Sequence, residues 1–316
     1  MKGALVAVLA VLALAQGAGA RPEVSKLLLG IMGDPGRFQA QTGQKSAIKH
    51  VFLGWQQGMT WGKKLEVYLP QLTPIPMLHL GTGGGPRAPH RAVITPQQIA
   101  LGGGDAYLVY LNKAINGLGS LVYVRPMAEM NNPNALYNPA QGAGSSPDWY
   151  RRMFARIFII LHGGPRVKVD VALKRAGLPF LVVKEDLPAN AKAKLKVIWN
   201  PVAGMGGWMP FYPGKKYVDL VGNDMYGEGA DFSRAANDQL YAFARAQHKR
   251  YSFPEWGVSV DQPEFVRYLC DFIKAKSAIE LAAYFNSIAG SKWDLSPKPS
   301  SKQTYRSCLT PLELAG

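Results

Sequence analysis

Eight short apolar runs, rich in β-branched and aromatic residues and each closed by glycine, proline or asparagine, recur at residues 26–33, 50–55, 75–81, 121–130, 195–201, 218–226, 251–258 and 279–286. Apolar runs of this length without strict alternation mark strands covered on both faces, the situation of a parallel sheet flanked by helices. Helical patterning separates them at 61–72, 95–118 with a glycine interruption at 102–104, 149–162, 231–248, 263–276 and 302–312. Eight alternations of this kind predict an α/β fold, a single (β/α)8 TIM barrel. Length alone, 316 residues, would allow two domains, but the units consume nearly everything from Lys26 onward. Residues 164–194 are the least regular stretch, and 178–183 reads as an extra hairpin strand or half a helix.

Residues 1–20 place Lys2 before an apolar run and end in Ala18-Gly19-Ala20, the pattern of a cleavable export signal. The run is too short to span a bilayer. A secreted or extracytoplasmic barrel over 21–316 is expected, without stable membrane insertion. Cys270 and Cys308 are the only cysteines. They suit either one disulfide between the last helices or two free buried thiols.

Composition narrows the chemistry. With 47% hydrophobic and 18% charged residues the chain cannot be a disordered polyelectrolyte. Lys and Arg outnumber Asp and Glu by 36 to 21, for a formal charge of +15. These cations are spread along helices (Lys45, Lys63, Lys64, Arg151, Arg152, Lys192, Lys215), which fits solvated faces and argues against a nucleic-acid partner. No CxxC, HExxH or spaced Cys/His cluster is present, so no metal site is expected. The GTGGGP run at Gly81 lacks the GK[ST] ending of a phosphate loop, no GxGxxG opens a helix after the first strand, and no GxSxG elbow occurs. No cofactor is expected, and the protein is expected to be a monomer.

In a barrel the C-terminal ends of the strands converge on one face, and catalytic groups sit there. The fourth run ends Arg125-Pro126-Met127-Ala128-Glu129-Met130-Asn131 and the seventh Pro254-Glu255-Trp256-Gly257. A carboxylate inside an apolar run is costly unless paired or used. The structural alternative is a pair of glutamates bridged to Arg125 or Lys249. Two carboxylates across a barrel mouth can flank a glycosidic bond, one as proton donor and one as nucleophile. Aromatic faces suit sugar rings. Trp55, Trp199, Trp256 and Tyr284 lie at or near strand ends, and Trp61, Trp208 and Tyr212 in the loops that follow, whereas Trp149 and Trp293 are assigned to packing or surface.

The Arg-Pro-x-x-Glu-Met-Asn run, VIWNP at 197–201, YPGKKYVDLVGNDMYG at 212–227 and PEWG at 254–257 resemble the retaining (β/α)8 glycosidases, and within them glycoside hydrolase family 26, the β-mannanases and relatives. The resemblance implies Glu129 as acid/base and Glu255 as nucleophile of a secreted endo-acting enzyme on a β-linked polysaccharide, β-mannan first. It also implies that Tyr226 hydrogen-bonds the nucleophile beside Asp224, and that His79 contacts the sugar. Arg125, Trp199, Asn200, Trp256, Trp55 and Tyr284 complete the expected substrate-binding set. One departure stands out: the family carries histidine before the acid/base, and other clan members asparagine, where this chain has Ala128. Asn200 or His79 would have to substitute, or activity is weakened or turned to another sugar. Asn132 replaces a usual glycine, and Tyr137 stands in for a tryptophan. A glycan-binding barrel with weakened chemistry, or a glycosidase acting on another β-glycan or an anionic exopolysaccharide, are the alternatives.

Overall fold

The structure is a computed structural model describing residues 27–314, except 60–62, 73, 85–89, 143 and 228–231. Residues 1–20, where the export signal is expected, and Trp61 lie outside the described residues. The strands are β1 (Leu28–Gly33), β2 (Ile48–Leu53), β3 (Ile75–Leu80), β4 (Val122–Pro126), β5 (Leu195–Trp199), β6 (Leu220–Gly222), β7 (Met225–Tyr226), β8 (Arg250–Gly257) and β9 (Ile279–Ser287). All pair in parallel, in the order β6-β5-β4-β3-β2-β1-β9-β8-β7, and β6 also pairs with β8, which closes the ring. β6 and β7 are two pieces of one barrel strand, interrupted at Asn223 and Asp224, so the sheet is an eight-stranded barrel. Every predicted strand is present, with ends displaced by a few residues.

Alternate residues on each strand face inward. Ile48, Met77, Tyr123, Ile198, Leu220, Leu281 and Ala283 form an apolar plug inside the barrel. Gly30 makes room for it: a Cβ there would sit 2.8 Å from Ile48 Cβ. Below the plug, Glu280 on β9 is buried and accepts from Tyr123 Oη at 2.6 Å and Lys196 Nζ at 2.5 Å.

The outer layer packs the apolar backs of the strands under helices α1 (Pro35–Thr42), α2 (Leu65–Tyr68), α3 (Pro96–Ala100), α4 (Asp105–Leu118), α5 (Pro147–His162), α6 (Arg166–Arg175), α7 (Arg234–Ala246), α8 (Pro263–Ala275) and α9 (Pro299–Thr304). The glycines at 102–104 divide the predicted 95–118 helix into α3 and α4, as their low helix propensity requires. α1 and α6 were not expected, because each buries only two residues, Phe38 and Thr42 in α1 and Val169 and Leu173 in α6, too few for a clear periodic signal. The 178–183 segment is neither strand nor helix. Its backbone is held by side chains: Arg156 donates to Pro179 O at 2.9 Å and Phe180 O at 3.3 Å, and Asp105 accepts from Val182 N at 2.9 Å. Arg156 and Asp105 are themselves a buried bidentate pair at 2.7 and 2.6 Å.

Cys270 on α8 and Cys308 after α9 form a disulfide, which decides between the two readings of the cysteine pair. It ties the last helical segment to α8 across 38 residues. Replacing both cysteines with alanine is expected to lower the unfolding free energy by about 3–4 kcal/mol, the loop-closure value for that length. Urea unfolding measures this, and an unchanged midpoint contradicts it.

Candidate active site

Glu129 and Glu255 reach the same mouth through irregular backbone. β4 stops at Pro126, which has no N–H to extend the ladder. The chain then passes through left-handed conformations at Met127 (φ 44°) and Glu129 (φ 60°), each costly for a residue with a side chain. Anchors on both sides hold this turn: Met127 N donates to Leu80 O at 2.8 Å and Glu129 N to Asn200 O at 2.6 Å. On β8 the pairing with β9 shifts between Phe253 and Trp256, so Glu255 sits on an irregular step beside Pro254. One carboxylate oxygen each from Glu129, Asp224 and Glu255 lie within 4.8 Å of one another.

Arg125 organises this cluster from beneath, fully buried. Its Nη1 donates to Glu255 Oε2 at 3.1 Å and its Nε to Asn200 Oδ1 at 2.9 Å, while Nη2 donates to Asp224 Oδ2. Tyr226 Oη donates to Glu255 Oε1, so both oxygens of Glu255 are held. Burial would lower the Arg125 pKa, but Asp224, Glu255 and Glu129 outweigh it and raise it. Burial pushes Asp224 well above the usual carboxylate range; Arg125 opposes this, and Glu255 and Glu129 add to it. A cluster of three carboxylates around one guanidinium favours retention of a proton.

His50, on β2, completes the arrangement. Its Nε2 lies 2.9 Å from Arg125 Nη1, and a guanidinium only donates, so Nε2 accepts and the proton resides on Nδ1. That nitrogen lies 4.0 Å from Glu255 Oε2. Burial first, then Arg125, His79 and Lys49, push the His50 pKa well below the histidine range. His79 is lowered to about 3 by burial and then by Arg125.

The carboxylates open into a pocket of about 230 Å³ lined by Phe52, His79, Ala128, Asn132, Asn134, Ala135 and Tyr137. A second pocket of about 470 Å³ shares Phe52, His79, Asn134, Ala135 and Tyr137 with it and extends over Gln57 and Thr82. No Lys or Arg lines either pocket among the described residues.

Of the expected site residues, Glu129, Glu255, Asp224, Tyr226 and His79 meet at this mouth, with Arg125 and Asn200 supporting them. The expected aromatic contacts are corrected. Trp55, Trp199, Trp256 and Tyr284 are at most 1% exposed and cannot stack on a ligand. Trp55 packs edge-on against Tyr107, Trp199 against Tyr212 and Trp208, and Trp256 between Tyr305 and Tyr284. Strand-end tryptophans whose side chains point outward are covered by the helices. Asn200, also buried, serves Arg125 and the Glu129 backbone instead of a sugar. Gly222 leaves it space, since a Cβ there would lie 2.9 Å from Asn200 Oδ1.

Trp293, assigned to packing or surface, is half-buried with its ring 4.4 Å from that of Tyr226. The reverse of the tryptophan correction holds at β2. Phe52 is 42% exposed and lines both pockets. His50 and Phe52 share the inward face of β2 with Ile48, and a count of alternate positions from Ile48 would have found them.

No protein-family model and no curated protein matches this chain in sequence. Solved structures do match in fold. A modular endo-β-1,4-mannanase from Cellulomonas fimi is 15% identical with a TM-score of 0.62, covering 92% of this chain and 72% of its own. The Bacillus subtilis mannanase BCman is 19% identical with a TM-score of 0.58, over 91% of this chain and 87% of its own. A Podospora anserina GH26-CBM35 β-(1,4)-mannanase gives 15%, 0.53, 89% and 60%.

Because His50 stays neutral in the fold whereas the unfolded chain binds a proton below about pH 6.5, acid favours the unfolded state. Stability should therefore fall as pH drops below about 6.5, by up to about 1.4 kcal/mol per unit from this group. His50→Gln, which keeps an acceptor for Arg125, should remove that part of the slope. Urea unfolding of both proteins from about pH 4.5 to 7 tests this; parallel pH profiles contradict it. The chain has the (β/α)8 fold of the glycoside hydrolase family 26 mannanases.

Proposed function

We propose that this protein is a retaining endo-glycosidase that cleaves an uncharged β-linked polysaccharide, β-mannan first, with Glu129 as acid/base and Glu255 as nucleophile. The observation that carries this reading is the approach of the two carboxylates, whose nearest oxygens lie within 4.8 Å. Retaining enzymes hold their carboxyl groups about 5–5.5 Å apart, whereas inverting enzymes need about 6.5–9.5 Å to admit a water. The mannanase fold supports the choice of substrate, and the absence of Lys and Arg from the described pocket linings favours a neutral glycan over an anionic one.

In the first step Glu129 donates its proton to the glycosidic oxygen while Glu255 attacks the anomeric carbon. The bond to the leaving sugar breaks as the ester bond to Glu255 forms. In the second step Glu129, now ionised, takes a proton from water, whose oxygen displaces Glu255 and restores both groups. Arg125 and Tyr226 fix the direction of Glu255. Phe52 offers a ring face for sugars. Export through residues 1–20 and a monomeric state belong to the same reading.

Ala128 favours a second reading, a glycan-binding barrel with weak turnover, because a side chain that donates no hydrogen bond lines the pocket beside Glu129. Release of reducing ends from mannan, xylan and glucan separates the two: binding without release supports the second. Under the first, Glu255→Ala abolishes turnover while the protein stays folded. Glu129→Ala lowers turnover of mannan about 10²–10⁴-fold but spares the first step on activated aryl glycosides, read as kcat/KM, because their leaving group needs no proton. Retained mannan turnover in the Glu255 variant overturns the assignment.

A further inference from the structure

Asn132 touches one of the two proposed catalytic carboxylates. Its Nδ2 donates to Glu129 Oε2 at 2.9 Å. The amide cannot turn over at low cost, because its Oδ1 accepts from Asn134 N at 3.0 Å. With the oxygen committed to a backbone donor, the NH₂ group faces Glu129. The backbone repeats the link, since Asn132 N donates to Glu129 O at 2.9 Å. Asn132 and Glu129 are therefore joined twice within the same left-handed turn. Asn134, the residue that orients the amide, itself lines both pockets.

We propose that Asn132 is a positioning residue that aims the Glu129 carboxyl group across the mouth and sets the pH at which it gives up its proton. This rests on the reading of Glu129 as acid/base. A neutral donor on one oxygen stabilises the ionised form and restricts how the carboxyl group can turn. The other groups that bear on Glu129 are Asp224 and Glu255 within 4.8 Å, together with Arg125, Tyr137 and Tyr226. The two carboxylates oppose its ionisation, Arg125 favours it, and the phenols are neutral at working pH. Asn132 is thus a donor whose removal leaves this charge set unchanged.

Two variants test the proposal. Asn132→Ala removes the donor. Asn132→Asp keeps the acceptor for Asn134 N but replaces the donor with a charge, and so should act in the same direction more strongly. The alkaline limb of the kcat/KM profile on mannan should move up by about one pH unit in Asn132→Ala and further in Asn132→Asp. Aryl glycosides with good leaving groups should lose little kcat/KM in either. Independently of activity, the ¹³C carboxyl resonance of Glu129, assigned with Glu129→Gln, should titrate about one unit higher in Asn132→Ala than in the parent protein. An unshifted Glu129 titration in both folded variants overturns the proposal. If the parent protein cleaves no glycan, the proposed function fails, while the carboxyl titration still decides what Asn132 does.

Discussion

A single buried guanidinium holds the mouth of this barrel together. Arg125 on β4 reaches His50 on β2, Asn200 after β5, Asp224 at the break between β6 and β7, and Glu255 on β8. Taking such a charge out of water costs several kcal/mol, which only well-placed partners offset. Here the partners come from most of the circumference, so the arrangement forms only when the ring has closed in the correct register. The same contacts direct the carboxylates. A barrel slipped by one residue would turn every inward side chain to the outer face and strand this charge without partners. Fold and site are therefore selected together.

The acidic cluster has a matching logic. Asp224 and Glu255 both bond that guanidinium with the Glu129 carboxylate close by, and burial together with the surplus of negative charge raises the affinity of Asp224 for a proton. The direction of Glu255 is fixed in turn, because Arg125 holds one of its oxygens and Tyr226 the other. The strained backbone at Met127 and Glu129 belongs to the same design. Unusual φ values persist where surrounding contacts over-determine them, and here the anchors run to Leu80 on β3 and to Asn200 after β5.

Much of this was legible in the sequence, for physical reasons that also mark the limit. Strands covered on both faces leave continuous apolar runs, so all eight could be counted, and a glutamate at the end of such a run stands out because burying it is costly. α6 was not legible, since two buried residues in ten leave no clear period. The tryptophans misled for a related reason: an apolar strand hides which of its residues face inward. Trp55, Trp199 and Trp256 turn toward the helices, whereas Phe52 turns toward the mouth. Trp293 lies in the loop after β9, where no periodicity exists, and only the folded chain brings it to Tyr226. Asn132 was visible only as a departure from a family pattern, because its partner and the orientation of its amide are properties of the turn.

The net charge of +15 takes on a narrower meaning once the pockets are mapped. Lys45, Lys63, Lys64, Lys192, Lys215 and Lys216 are exposed, and none of them lines either pocket. At physiological ionic strength the field of an exposed charge decays over about 8 Å, so these cations act on what approaches the outer shell. At the mouth, the one cation of the cluster is consumed by Asp224 and Glu255. An anionic sugar there would meet three carboxylates without a free counter-charge among the described lining residues, which is repulsive. The basic shell and the acidic mouth are thus separate features of the surface, with the exposed cations outside both pockets and the carboxylates inside.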